Sequence, residues 1–203
     1  MKILVIGGNR FFGKKLTAKL IEDSNDITLL NRGNIDDGFG NRVNRIKCDR
    51  TQLKQMQDSL KGQTWDIVYD QVCYTYDQAK MACKLFNRKA KKYIHTSTVS
   101  VYENVNSRIE GDYSPEEYQF NEVVTDYNKQ YAEAKRQAEV AFTKYASFPL
   151  TMLRIPIVVG LDDYTGRLSF HVNKIKNNDP FYLPNLDAHI SFITSDDAAE
   201  VLF

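Results

Sequence analysis

The first thirteen residues constrain the fold more than any other stretch. Met1-Lys-Ile-Leu-Val-Ile-Gly-Gly-Asn-Arg-Phe-Phe-Gly13 passes from an apolar run through glycines into an amphipathic pattern. Ile3 to Ile6 are apolar without alternation, as a strand covered on both faces of a parallel sheet requires. Gly7 and Gly8 let the backbone turn sharply and approach a ligand, and Phe12, Leu16 and Leu20 then recur at helical spacing. A helix opening directly from a glycine turn favours an anion such as a pyrophosphate. The spacing Gly7-x-x-x-x-x-Gly13 misses the strict Gly-x-Gly-x-x-Gly fingerprint, but strand, turn and helix stand in the order it needs.

Further strands are read at Asp26 to Arg32, Arg45 to Lys47, Trp65 to Tyr69, Lys92 to Thr96 and Leu150 to Ile155, with helical patterns after most of them. Such a βαβ series predicts a parallel sheet with helices on both faces. The second strand ends about 18 residues beyond Gly13, where a dinucleotide domain reads the adenosine ribose. A carboxylate there suits the 2′-hydroxyl of NAD, and an Arg suits the 2′-phosphate of NADP. Asn31 and Arg32 occupy the place, and Asn31 cannot repel a phosphate. The cofactor is therefore NADP or NAD, with NADP preferred, and Arg10 is a candidate second phosphate contact.

Composition narrows the partners. Lys+Arg 27 against Asp+Glu 26 gives a formal charge of +1, so no basic field for nonspecific nucleic-acid binding is implied. A small molecule is the expected partner instead. The 203 residues, 42% apolar, suit a single globular core. Cys48, Cys73 and Cys83 form no Cys-x-x-Cys pair and are odd in number, which fits a reducing cytoplasm. His95, His171 and His189 lack ligand spacing, so no metal is expected, and no stretch reaches the ~18 apolar residues of a membrane span.

Tyr131-Ala-Glu-Ala-Lys135 lies on a helix read from Tyr127 to Tyr145, where a Tyr and a Lys four apart can reach one ligand together. The alternative is a core aromatic beside a solvated charge. Between this helix and the fifth strand, Glu103 to Asp126 is polar and acidic, a connection long enough to be a substrate-facing lid or a solvated loop.

Ile6-Gly-Gly-Asn-Arg-Phe-Phe-Gly13 resembles the Gly-x-x-Gly-x-x-Gly turn of the extended short-chain dehydrogenases/reductases, the NAD-dependent epimerase/dehydratase group. Gly7 and Gly13 match the outer glycines, and Arg10 stands at the middle one, as in the branch that includes the chloroplast stem-loop-binding proteins. Ser97-Thr98-Val99-Ser100-Val101-Tyr102 resembles the family's Ser-Ser-x-x-Val-Tyr signature and puts Thr98 on the catalytic serine position. Tyr131 and Lys135 follow in the family's order. Ile155-Pro-Ile-Val-Val-Gly160 resembles the turn near the nicotinamide, with Arg154 one residue further from Pro156 than in the family.

The resemblance implies an α/β, Rossmann-type doubly wound parallel sheet over residues 1–155 and an incomplete substrate-binding part over 156–203. It implies cofactor contacts from Gly7, Gly8, Arg10, Phe11, Phe12 and Gly13, from Asn31 and Arg32, and from Asp49 at the adenine with Arg50 beside it. Gln71, Val72 and Pro156 complete that set. It further implies an epimerase, dehydratase or reductase acting on a sugar or nucleotide-sugar, with a non-catalytic dinucleotide-binding regulator or RNA-binding relative as the alternative. A phenol with pKa near ~10 is a poor base at neutral pH, and an ammonium within ~4–6 Å would lower it, the role expected of Lys135 toward Tyr131. Thr98 would hydrogen-bond the same substrate oxygen. Val201, Leu202 and Phe203 extend an apolar helix face, from which weak stability or self-association, with a homodimer as a candidate form, is expected.

Overall fold

The computed structural model describes residues 1–103, 109–183 and 185–203; residues 104–108 of the polar connection lie outside that description. Six parallel strands form the main sheet in the order β3-β2-β1-β4-β5-β6. They are β1 (Lys2–Ile6), β2 (Asp26–Asn31), β3 (Asn44–Lys47), β4 (Trp65–Asp70), β5 (Ala90–Thr98) and β6 (Leu150–Ile155). Helices α1 (Phe11–Glu22), α2 (Leu53–Ser59), α3 (Tyr76–Phe86) and α4 (Tyr131–Tyr145) connect them. This is the doubly wound Rossmann-type α/β sheet expected.

Both faces of β1 are covered, and alternate residues serve opposite layers. Leu4 and Ile6 pack in one core with Met56 of α2, Phe86 of α3 and Phe142 of α4. Ile3 and Val5 pack in the other with Leu16 and Leu20 of α1. Ala134, Ala138 and Ala141 are fully buried on α4 and let it approach α3 closely.

A second, two-stranded parallel sheet pairs β7 (Ile157–Val159) with β8 (Phe192–Thr194); the sequence pattern marks a strand at Ile190 to Thr194 but none at β7. Helix α6 (Ser195–Leu202) follows and lays Ala199 and Leu202 onto the α1 layer. Lys15 of α1 reaches Ser195 and Asp196 at 2.7 and 2.8 Å. Helix α5 (Arg167–Lys176) buries none of its residues, and Leu168, Phe170, Val172 and Ile175 stand exposed. Among the described residues no helix is long and apolar enough to cross a membrane.

The polar connection is pinned to α4 over its described second half. Tyr113 Oη donates to the Arg136 carbonyl at 2.8 Å, Tyr118 Oη to Glu133 at 2.5 Å, and Val124 N to Gln137 Oε1 at 2.8 Å.

Candidate functional site

Strand β1 lies between β2 and β4, so the chain winds away from it in both directions and leaves a crevice at the strand ends. An open cleft of about 600 Å³ occupies it. Its floor is the glycine turn. Gly7 and Gly8 have φ of +99° and +73°, values that favour residues without a β-carbon. A β-carbon on Gly8 would meet Val5 Cγ1 at 2.6 Å, and one on Gly13 would meet Gln71 Oε1 at 2.0 Å. The N-cap residue Arg10 makes no side-chain capping bond to α1, and no acidic residue stands in its first turn. The N–H groups of that turn are therefore left to an anion in the cleft.

Arg10 and Phe11 rise from the turn to meet Tyr164, which comes from the segment before α5. The Arg10 guanidinium lies 4.7 Å from the Tyr164 ring centroid, and Phe11 packs edge-on against it at 6.3 Å. Phe11 itself adopts φ +49°, an uncommon conformation for a side-chain-bearing residue. Phe12 also lines the cleft.

At the opposite end stand Asn31, Arg32, Asp49 and Arg50. Asn31 Oδ1 accepts from Gly33 N at 2.8 Å, and Arg32 is exposed. Asp49 Oδ1 accepts from the Thr51 amide and hydroxyl at 2.9 and 2.7 Å, and these bonds hold its carboxyl below the usual range. Arg50 is held from beneath: it pairs with the fully buried Asp70, which also accepts from Tyr93 Oη at 2.6 Å, and it donates to Gln78 Oε1 at 3.1 Å. Burial works against the Arg50 charge, but Asp70, Cys73 and Tyr93 together more than offset it.

Gln71 and Val72 form one wall. Gln71 Nε2 is buried without a hydrogen-bond partner among the described residues. Beyond them Tyr74 and Tyr127 stack at 4.6 Å and 16° and close the far end with Gln78. Pro156 lies outside this lining, between β6 and β7. Tyr74, Tyr127 and Tyr164 were not anticipated. Tyr74 adjoins the Gln71-Val72 stretch, a local signal that could have found it; Tyr164 carries none, because the fold alone brings it to Arg10.

Thr98, Tyr131 and Lys135 gather behind the tyrosine stack rather than on the cleft lining. Thr98, at the end of β5, accepts from Ser100 N at 3.1 Å and lies within 3.2 Å of Ser100 Oγ. Tyr131 opens α4, with its ring 6.4 Å from that of Tyr74. Lys135, one turn on, is 2% exposed, and its Nζ lies 5.8 Å from the Tyr74 centroid. Its ammonium donates to the Cys73 and Thr96 carbonyls, both at 2.8 Å, and meets His95 Nε2 at 3.1 Å. Burial pushes it down to about 8.

The pull of Lys135 on Tyr131 is not what the structure contains. Burial raises the Tyr131 phenol; the nearby Thr98 hydroxyl and the charge of Arg167 oppose that only in part. The ammonium is spent on other acceptors, so Thr98 is the polar neighbour of the phenol.

The neighbouring polar residues serve the fold. Ser97 donates to the fully buried Glu139, which Arg154 also engages through Nη2 at 2.8 Å. Arg154 is sandwiched between Tyr102 and Tyr113, with ring centroids 5.1 and 5.0 Å from its guanidinium carbon.

A profile of the NAD dependent epimerase/dehydratase family matches residues 75–203, most of the chain and the segment that carries Thr98, Tyr131 and Lys135. The chain belongs to this family. Among solved structures, a member-like fold is seen in UDP-glucose 4-epimerase of Thermotoga maritima with UDP-glucose. The TM-score is 0.74 at 16% identity, over 100% of this chain and 72% of that one. WbmG of Bordetella bronchiseptica, solved with NAD and UDP, gives 0.73 at 13% identity over 98% and 66%. The dTDP-glucose 4,6-dehydratase of Bacillus anthracis with NAD gives 0.73 at 16% over 98% and 69%. These likenesses are of fold. The chloroplast stem-loop binding protein of 41 kDa b from Arabidopsis thaliana is 26% identical over 114 residues, which cover 50% of this chain and 30% of that protein. The match thus spans under a third of that relative.

Proposed function

We propose that this chain forms the dinucleotide-binding part of an NAD(P)-dependent epimerase, dehydratase or reductase acting on a sugar nucleotide. The observation that carries the reading is the cleft itself. It joins a helix N-terminus without a side-chain cap and a turn that admits no β-carbon to a far end closed by Tyr74, whose ring lies 6.4 Å from that of Tyr131. These residues fit a nicotinamide dinucleotide. Gly7, Gly8, Gly13 and the first turn of α1 would take its pyrophosphate, Arg32 with Arg10 its 2′-phosphate, and Asp49 its adenine. Gln71 Nε2, a buried donor without a partner, is free to bind it. This preference for Arg over a carboxylate favours NADP.

The bound group would supply hydride acceptance and donation. Tyr131 Oη would hold the proton exchanged with the substrate oxygen, and its raised pKa keeps it protonated at neutral pH, suited to donate. Thr98 Oγ1 would orient that oxygen. Lys135 would place a buried positive charge beside the ribose side of the site. Residues 1–155 would form the cofactor domain and 156–203 part of the substrate side, consistent with Tyr164 at the cleft.

Fluorescence titration with NADPH and NADH tests the cofactor reading, and NADPH is expected to bind more tightly. Absence of binding by both would overturn it. Turnover of a UDP- or dTDP-sugar by the wild type, lost on the order of 10²–10⁴-fold in Tyr131→Phe with dinucleotide affinity unchanged, tests the chemistry. A second reading, a binding protein without turnover, is favoured by the saturated Lys135 and by the likeness to the stem-loop binding protein. Tight binding of a structured RNA with no sugar-nucleotide turnover would select it.

A further inference from the structure

We propose that His95 is a positioning residue for Lys135: its imidazole is the third acceptor of the ammonium and fixes Nζ between the ends of β4 and β5. The inference rests on the reading of Lys135 as part of the dinucleotide site. An ammonium has three N–H donors and no acceptor, so a buried one needs three acceptors. The Cys73 and Thr96 carbonyls supply two, at 2.8 Å each, and these are fixed by the backbone. His95 Nε2, at 3.1 Å, is the third and the one supplied by a side chain.

The imidazole is fully buried on β5 and packs against Phe142 of α4, with ring centroids 4.7 Å apart. That packing holds Nε2 toward Nζ. To accept, the ring must be neutral with its proton on Nδ1. Burial and the cations Lys135 and Arg50 press the imidazole well toward neutrality, and the Asp70 backbone on β4, the smallest influence, opposes them. Nδ1 has no hydrogen-bond partner among the described residues, so the contact with Nζ is the one hydrogen bond of the ring there. The other groups acting on Nζ are Cys73 after β4, Asp70 of β4 and Glu139 of α4, which favour its charge, and Arg50, which opposes it. Tyr74 covers Nζ from the cleft side. None of them replaces the lone pair that His95 presents.

Nitrogen-15 NMR of the wild type over pH 5–9 gives a test that needs no variant. His95 is expected to remain neutral as the Nδ1–H tautomer throughout, and an imidazolium or an Nε2–H tautomer would overturn the proposal. In lysine-labelled protein, His95→Leu is expected to lower the Lys135 titration midpoint by about one pH unit, a tenfold change in proton affinity. His95→Gln, which returns an acceptor near the place of Nε2, is expected to restore it. An unchanged midpoint in folded His95→Leu would overturn the proposal. NADPH affinity is expected to fall about tenfold in His95→Leu and to recover in His95→Gln; equal affinity in all three would overturn the positioning role. Failure of the wild type to bind either dinucleotide would defeat the functional reading and leave the NMR outcome to decide the His95–Lys135 contact by itself.

Discussion

Gly8 and Gly13 exclude a side chain for different reasons, and substitution separates them. Gly8 is left-handed, and a β-carbon there would press on Val5 Cγ1 at 2.6 Å and Thr17 Oγ1 at 2.9 Å, both in the core. Gly8→Ala is therefore expected to cost about 1–3 kcal/mol of stability, read from urea midpoints. Gly13 is helical, and the atom in the way is the end of the Gln71 side chain, at 2.0 Å. Gly13→Ala is expected to leave the fold intact, push Gln71 into the cleft and weaken dinucleotide binding about tenfold. Gln71→Ala in the same chain should restore most of that loss; a double variant as weak as the single one would show that the clash is not the cause. Arg32→Ala tests the other end of the cleft, with NADPH affinity expected to fall about tenfold and NADH affinity to stay. The glycine turn was legible because its geometry is local to thirteen residues. Tyr127 and Tyr164 were not, since they reach the cleft from distant segments. Nor were the partners of Lys135, two of which are backbone carbonyls that no residue type announces.

Helix α4 carries its polar cargo on the buried side. Besides Lys135, Gln137 and Glu139 are almost wholly enclosed, and each ties the helix to another element. Gln137 holds the polar connection through Val124 N and the Glu122 carbonyl, while Glu139 holds β5 through Ser97 and β6 through Arg154. The Glu139–Arg154 pair sits beside Thr98, so its loss would loosen the strand end that presents that hydroxyl. Removing one partner leaves a buried charge without its counter-ion, and Arg154→Met is expected to cost roughly 3–5 kcal/mol by chemical denaturation. Glu139→Gln with Arg154→Met removes both charges and should cost less than the single change. A double variant less stable than the single one would mean that the pair is not coupled. All six main strands were legible, β3 (Asn44–Lys47) with a single apolar residue and the rest from apolar stretches, whereas β7 escaped because three residues after Pro156 are too few to carry a period. Thr51 did not cap α2 as its type suggests. Its hydroxyl goes to Asp49, and Gln52 stands at the helix start instead.

At the scale of the molecule, covering the sheet on both faces encloses three thiols with the core, and this sets its behaviour in alkali. Cys48, Cys73 and Cys83 are 3%, 0% and 3% exposed. Burial raises all three, Cys73 to about 11 and Cys83 to about 12, from an ordinary value near ~8.5. Above pH ~8.5 the unfolded chain therefore loses thiol protons that the folded chain keeps, and stability falls with pH by roughly 1.4 kcal/mol per unit for each proton withheld. Lys135 works the other way. Its folded value of about 8 lies below the ordinary ~10.4, so between those limits the unfolded chain binds the extra proton and stability rises. The Cys73 and Cys83 protons against that one leave a net decline between pH 8.5 and 10, to which Cys48 adds and which the raised tyrosines Tyr69, Tyr93 and Tyr113 steepen above ~10. Urea midpoints are expected to fall from pH 8 to pH 10, by less in Cys83→Ala, and by more in Lys135→Met once the opposing proton is gone. Stability that instead rises over this range would mean that the thiols are not buried as the two-layer packing requires.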